Sequence, residues 1–163
     1  MQPTQEDGAS FEDFYRAARP QVARALALTL RDTHLAVEAV DEAMTRAYAR
    51  WERVATFDNP GGWVYRVALN WATSVRRRKH PRPFVERGPA DLRPITEPDV
   101  FAALAELALG QRSVVVCRYY LGFSENETAT ALGIRRGTVK SRLHRALRHL
   151  EARLDHLRPE EQQ

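Results

Sequence analysis

The chain has 163 residues, 44% of them hydrophobic, and a formal net charge of +4 at pH 7. That length allows one domain or two small ones, and the basic balance admits an acidic partner without demanding one. The single cysteine, Cys117, excludes an internal disulfide and a Cys-rich metal site. No apolar run long enough to span a bilayer and no N-terminal apolar signal core are present, so a cytoplasmic protein without a membrane contact is expected.

Met1 to Ala9 is polar and acidic and reads as unstructured. Ser10 is placed to cap a helix carrying Phe11, Phe14, Tyr15, Ala18, Val22 and Leu26 on one face, with Pro20 either kinking it or starting a fresh helix. Arg31–Asp32–Thr33 breaks the pattern. The next helix shows Val37, Val40, Met44, Ala47, Tyr48 and Trp51 at helical spacing, with Glu38, Asp41 and Glu42 on the opposite side. Taken alone, that acidic group is a solvated face. Phe57–Asp58–Asn59 is a loop; Asn59 caps the following helix and Pro60 takes its first turn. In that helix Trp63, Val64, Val67, Ala68, Trp71 and Val75 are expected inward, and Arg66, Asn70, Thr73, Ser74 and Arg77 elsewhere. It ends in the basic run Arg76–Arg77–Arg78–Lys79–His80. A helix dipole is complemented by one or two cations at this end; four in a row exceed that need and point to phosphate.

Pro81 to Pro98 holds five prolines, Gly88 and mixed charges, and reads as a semi-stiff linker. A short helix with Val100, Leu104 and Leu107 follows, then another through Val114, Val115, Cys117, Arg118 and Tyr119 that stops at Gly122. Cys117 is expected as a small buried residue. From Phe123 two helices meet at a tight turn. Ser124 and Glu127 form an S-x-x-E capping box, Ala129 and Leu132 give the first helix its apolar side, and Gly133 bends the backbone. The second helix starts near Gly137–Thr138 and carries Val139, Leu143, Ala146, Leu147 and Leu150 inward. This spacing is that of a helix-turn-helix. Between Gly110 and Leu154 there are nine Arg or Lys and three acids. An ordinary solvated helix mixes signs, so this one-sided charge favours nucleic acid.

The fold expected is all-α: two small helical domains at 10–80 and 99–154, joined by the linker at 81–98. The five His residues fall at no ligand spacing with acids or Cys, and no Gly-rich phosphate loop or nucleophile motif is present. No metal, no cofactor and no enzyme chemistry are therefore expected.

Three stretches in this order resemble the extracytoplasmic-function (ECF) class of bacterial RNA polymerase sigma factors. GTVKSRLHRAL at Gly137–Leu147 is similar to that class's recognition helix, NPGGWVYRVALNW at Asn59–Trp71 to its promoter-melting helix, and RYYLGFSENETATALG at Arg118–Gly133 to the lead-in of region 4. The resemblance implies a region 2 at 10–80 and a region 4 at 99–154. The partners it implies are core RNA polymerase, through the β′ clamp and the β flap, and promoter DNA, with an anti-sigma factor as a candidate further partner. It implies that Glu38, Asp41 and Glu42 dock on the clamp. Phe57, Asp58 and Asn59 would capture a base flipped from the minus-10 element. Arg66, Asn70 and Trp71 would meet the opened strand, and Arg76, Arg77, Arg78 and Lys79 its backbone; for Trp71 a place in the core is an equal alternative. Ser141, His144 and Arg145 would read minus-35 base edges, while Arg135, Arg136, Thr138, Lys140 and Arg142 position on phosphates. Three positions depart from the class: Asp41 where Gln is usual, Thr128 where an aliphatic residue is usual, and the stretch Trp71–Ser74. A stand-alone helix-turn-helix regulator with an N-terminal dimerisation domain is the alternative function; it has no use for a basic, aromatic helix at Asn59–Lys79.

Overall fold

A computed structural model describes residues 10–79 and 98–155. The expected linker lies outside these residues apart from Pro98, as do Met1 to Ala9 and His80. Among the described residues there are eight α-helices and no strand.

Helix boundaries follow local chemistry. Ser10 Oγ accepts the Asp13 N–H and opens α1 (Phe11–Leu30), which continues unbroken through Pro20. Arg31 ends it in the left-handed region, at φ 56°, and its N–H bonds back to Ala27. Asp32 then caps α2 (Thr33–Tyr48) by accepting the Leu35 N–H. Helix α2 stops three residues short of the expected Trp51. The chain turns at Ala49–Arg50 and Trp51 begins a separate short helix, α3 (Trp51–Val54). The turn lets the Trp51 ring reach Phe14 and Phe11, at 4.9 and 5.4 Å between centroids. Asn59 Oδ1 accepts the Gly62 N–H and Pro60 takes the first turn of α4 (Pro60–Arg78), as the sequence predicts.

Helices α1, α2 and α4 pack together through Leu26, Leu30, Val40, Met44, Val64 and Ala68. Small residues at Ala25, Ala36, Ala39, Ala43 and Ala72 line the same core. The inward face of α4 is wider than expected. Gly62, Val64, Tyr65, Ala68 and Ala72 are buried, while Trp63, Val67, Trp71 and Val75 are only partly so. Tyr65 is the largest fully buried side chain among the described residues.

The reason lies in the second half. Helix α5 (Pro98–Glu106) precedes α6 (Leu109–Val115), which runs on into a π turn over Val116–Tyr120 and is released at Gly122, φ 70°. Helices α7 (Glu125–Leu132) and α8 (Arg136–Leu154) follow. Leu104, Leu107, Val115 and Ala146, with Val100, Leu143 and Leu150, make a small core of their own. Val116, Cys117, Phe123 and Ala131 do not belong to it; they join the core of α1, α2 and α4. Helix α4 is thus covered by α2 on one flank and α7 on another.

Candidate nucleic-acid interface

The turn between α7 and α8 is built locally. Ser124 Oγ accepts the Glu127 N–H at 3.1 Å, and Glu127 Oε2 accepts the Ser124 N–H at 2.8 Å, closing the capping box. Gly133 sits at φ 64°, a conformation where a Cβ would be strained. The Ile134 N–H then bonds to Ala129 O. The buried residues of α7 are Thr128 and Ala131 rather than the expected Ala129 and Leu132, because the helix is gripped between α8 and α4. Helix α8 starts one residue earlier than expected, at Arg136, and buries Val139 and Ala146; Leu147, expected inward, is 37% exposed.

This geometry puts Arg136, Lys140, Ser141, His144, Arg145 and Arg148 in solvent. Ser141, Arg145 and Arg148 recur at steps of three and four and so share one face. Arg135, exposed, precedes the helix, and Thr138 is half-buried, its carbonyl accepting from Ser141 Oγ. Two of these cations have local partners: Glu125 Oε2 lies 2.8 Å from Arg136 Nε and 3.9 Å from Lys140 Nζ. The hydrogen bond from Arg136 holds the Glu125 carboxyl below its usual range. Arg142 is turned differently from the rest. It is half-buried, with its guanidinium so close over Gly110 that a Cβ there would meet Nη1 at 2.9 Å.

The residues expected at the minus-10 element lie along α4 and its entry loop. The Phe57 ring is 6.5 Å from Trp63, and Asp58 is exposed. Asn59 does two jobs: Oδ1 caps α4, and Nδ2 donates to Glu127 Oε1 at 3.2 Å. Arg66 reaches the end of α7, donating to Thr130 O at 3.4 Å. Asn70 is exposed, and Trp71 is half-buried against the core. Arg77, Arg78 and Lys79 face solvent. Arg76 is exposed as well, and donates to Leu30 O at the end of α1 while lying 3.9 Å from Asp32. The acidic residues of α2 each have a basic neighbour: Glu38 lies 3.4 Å from His34 Nδ1, Asp41 is ion-paired with Arg19 at 2.7 Å, and Glu42 with Arg46. The hydrogen bond to Asp41 raises the Arg19 pKa. Beside them Phe11, Tyr15 and Tyr48 form an aromatic patch, with Tyr48 69% exposed.

Sequence reasoning missed the polar seam between the halves. Arg112, only 7% exposed, donates through Nε to Thr29 O at 2.7 Å and through Nη1 to Leu104, Ala105 and Leu107 carbonyls. Burial and the neighbouring Arg31 and Arg76 push its guanidinium down to about 10, still well above neutral pH, so it remains charged. It serves the negative ends of α1 and α5 at once. Tyr65 OH pairs with Thr29 Oγ1 at 2.7 Å. Burial first, with Cys117 beside it, raises its pKa. Burial also pushes the Cys117 thiol up to about 12.

Among the described residues no group of His, Cys, Asp or Glu is arranged to hold a metal ion, and no helix is long and apolar enough to cross a membrane.

A family model described as Sigma-70, region 4 matches residues 99–150. The chain is 36% identical over 152 residues to the RNA polymerase sigma-E factor of Streptomyces avermitilis, covering 89% of this chain and 85% of that one. It is 36% identical over 140 residues to the ECF RNA polymerase sigma factor SigL of Mycobacterium tuberculosis, covering 77% and 78%. The fold is shared with the sigma factor RpoE of Bartonella quintana, solved with the anti-sigma factor NepR, at a TM-score of 0.75 and 22% identity over 91% of this chain and 98% of that one. CnrH, solved with the cytosolic domain of CnrY, matches at a TM-score of 0.56 and 25% identity over 90% and 88%.

Proposed function

This chain belongs to the ECF class of RNA polymerase sigma factors, and from that membership we propose how its own residues carry out promoter-directed initiation. The protein binds core polymerase in the cytoplasm, performs no chemistry itself, and lends the enzyme two DNA contacts. Residues 10–80 act as region 2, 99–154 as region 4, and 81–98 as the connection. Each contact alone is weak. Once one is made, the connection raises the effective concentration of the other.

The observation that carries this reading is the solvent-facing side of α8 with Ser141, His144, Arg145 and Arg148, presented by the Gly133 turn. A helix of this kind fits the major groove, where an Arg can bond a guanine edge bidentately. Arg135, Arg136, Thr138 and Lys140 set its register on phosphates. Glu125 shields Arg136 and Lys140 in the free protein, so those two must exchange a carboxylate for phosphate. Arg142, held over Gly110, braces α8 before it contacts DNA. In region 2, Phe57, Asp58 and Asn59 take the flipped base, whose capture offsets the unstacking cost of melting. Arg66, Asn70 and the exposed edge of Trp71 follow the opened strand, with Arg77, Arg78 and Lys79 on its backbone. Arg76 contributes positive potential from its place at the end of α1. Glu38, Asp41 and Glu42, with the aromatic patch at Phe11, Tyr15 and Tyr48, form the clamp-facing side; charged rims around apolar centres favour fast, selective docking. Region 4 meets the β flap. RpoE was solved bound to an anti-sigma factor, and a partner of that kind is proposed here too.

Run-off transcription with core polymerase across a pool of bacterial genomic fragments tests the reading. New starts that share two sequence elements at fixed spacing support it. Retained duplex binding without new starts would replace it with a stand-alone helix-turn-helix regulator.

A further inference from the structure

We propose that Arg19 of α1 is a positioning residue for polymerase docking: it holds Asp41 as one half of a neutral pair, so that Asp41 meets core polymerase as a hydrogen-bonding group and not as a free anion. The proposal rests on the function assigned above.

Arg19 and Asp41 extend the face already given to the polymerase. Phe11, Tyr15 and Arg19 recur every four residues along α1 and share one side of it. Asp41, Thr45 and Tyr48 do the same along α2, at steps of four and three. The two stripes run antiparallel. Phe11 meets Tyr48 at 5.1 Å between ring centroids. About two turns further along α1, Arg19 Nε donates to Asp41 Oδ1 at 2.7 Å. Between these contacts the Arg19 guanidinium carbon lies 5.9 Å from the centre of the Tyr15 ring. The exposed rings of Tyr15 and Tyr48 and the ion pair thus form one continuous strip.

Of the three acids on this face, Asp41 is the one whose cation comes from another helix. The basic neighbours of Glu38 and Glu42, His34 and Arg46, stand four residues away on α2 itself. Pairs of that kind on a helix surface are weak and exchange readily. The Arg19 guanidinium is instead fixed from two sides, by the Asp41 carboxylate and by the Tyr15 ring. Its bond uses one carboxylate oxygen and one guanidinium nitrogen, and among the described residues neither side chain makes another hydrogen bond. The pair therefore offers a partner an acceptor oxygen and N–H donors with no net charge. In water a carboxylate beside Tyr15 and Tyr48 is well solvated with or without Arg19. Once a partner covers the strip, a lone carboxylate loses its water, whereas the pair carries its own counter-charge. Loss of Arg19 should therefore cost little stability and much affinity. If Asp41 reached instead for a cation on the polymerase, Arg19 would compete for that anion, and its removal would tighten docking.

The full-length protein, carrying a fluorophore at its N-terminus, is titrated with purified core RNA polymerase at low and high salt. Wild type, Arg19→Ala, Asp41→Gln and the double variant are compared, with far-UV circular dichroism and thermal melts as folding controls. Arg19→Ala should weaken binding about tenfold or more in the wild-type background, and by less than about twofold beside Asp41→Gln, where no anion is left to hold. Asp41→Gln alone keeps an acceptor and adds a donor, so it should weaken binding only a few-fold and leave its salt dependence like that of wild type. All three variants should keep their helix content. Tighter or unchanged binding by Arg19→Ala would overturn the proposal. Equal losses from Arg19→Ala in both backgrounds would also overturn it, by making Arg19 a direct polymerase contact. A larger loss from Asp41→Gln than from Arg19→Ala, with a flattened salt response, would make Asp41 a free ionic contact and have the same effect. So would loss of helix in Arg19→Ala, since the pair would then be holding the fold. Failure of the wild type itself to bind core polymerase would remove the sigma reading, and the proposal with it.

Discussion

Two buried threonines allow one chemical change to be tested with opposite signs. Thr128 of α7 is fully buried, and its hydroxyl finds no hydrogen-bond partner among the described residues. Thr29 of α1 is equally buried, but its hydroxyl donates to Ala25 O at 2.9 Å and pairs with Tyr65 OH at 2.7 Å. Burying a hydroxyl without a partner costs about 1–3 kcal/mol in proteins. Thr128→Val removes that cost and leaves no cavity, since a methyl replaces the hydroxyl. Helix propensities of Thr and Val are nearly equal, so the backbone contributes little. The expected gain is about 1–2 kcal/mol. For a chain of this size each kcal/mol moves Tm by about 2–4 °C, giving a rise of roughly 2–8 °C. Thr29→Val removes one of the partners of the Tyr65 hydroxyl, which also meets Ser113 and Cys117, and should lower stability by about 0.5–1.5 kcal/mol. Thermal melts and urea titrations followed by circular dichroism measure both; an unchanged m-value assigns the shift to stability. A neutral or destabilising Thr128→Val would refute the reasoning, because the hydroxyl would then be doing something that its surroundings do not show. The resemblance to the sigma class predicts an aliphatic residue here, and the burial of Thr128 gives that expectation its physical content.

Other expectations concern DNA and pH. Arg145→Ala should cost about 1–3 kcal/mol of minus-35 binding and broaden selectivity there, read by competition between promoter variants; an unchanged preference would remove Arg145 from base readout. Asn70→Ala should slow open-complex formation more than closed-complex binding, which permanganate footprinting against gel shift can separate. Glu106 accepts from Arg153 and pairs with His149 at 3.0 Å, tying α5 to α8. Arg153 first, then His149, holds its carboxyl below the usual 4.5. Its contribution to stability is therefore present above pH 4.5 and lost as pH falls through the lowered folded value. Glu106→Gln should flatten the acid side of the stability profile, and an unaltered profile would show that the pair contributes nothing.

The helix ends were legible because they are local. Ser10, Asn59 and Ser124 each cap with their own side chain, and the Ser124–Glu127 box and the left-handed Gly133 need only a few neighbouring residues to specify them. The one-sided charge of α8 was legible for the same reason: helical period alone puts Ser141, Arg145 and Arg148 on one face. Local pattern also had limits. It ran α2 on to Trp51, because periodicity cannot register that the Trp51 ring is better placed against Phe14 of another helix. Nor does the basic run by itself show that Arg76 meets the carbonyl of Leu30, 46 residues away in the chain.

Three features were decided only by tertiary packing. Helix α4 is apolar over a wider arc than one stripe, and Tyr65 becomes its largest fully buried side chain because α7 and the π turn cover a second flank. Asn59 and Arg66 acquire partners 68 and 64 residues away. Arg112 looks like a surface cation in sequence and is a buried bridge between helix ends in space. Sequence determines what a segment of about twenty residues does with its own backbone, since caps, turns and periodicity act over one or two helical turns. Which faces meet depends on shape and charge contributed by several segments together, and the polar seam exists only when α1, α4, α6 and α7 are all in place.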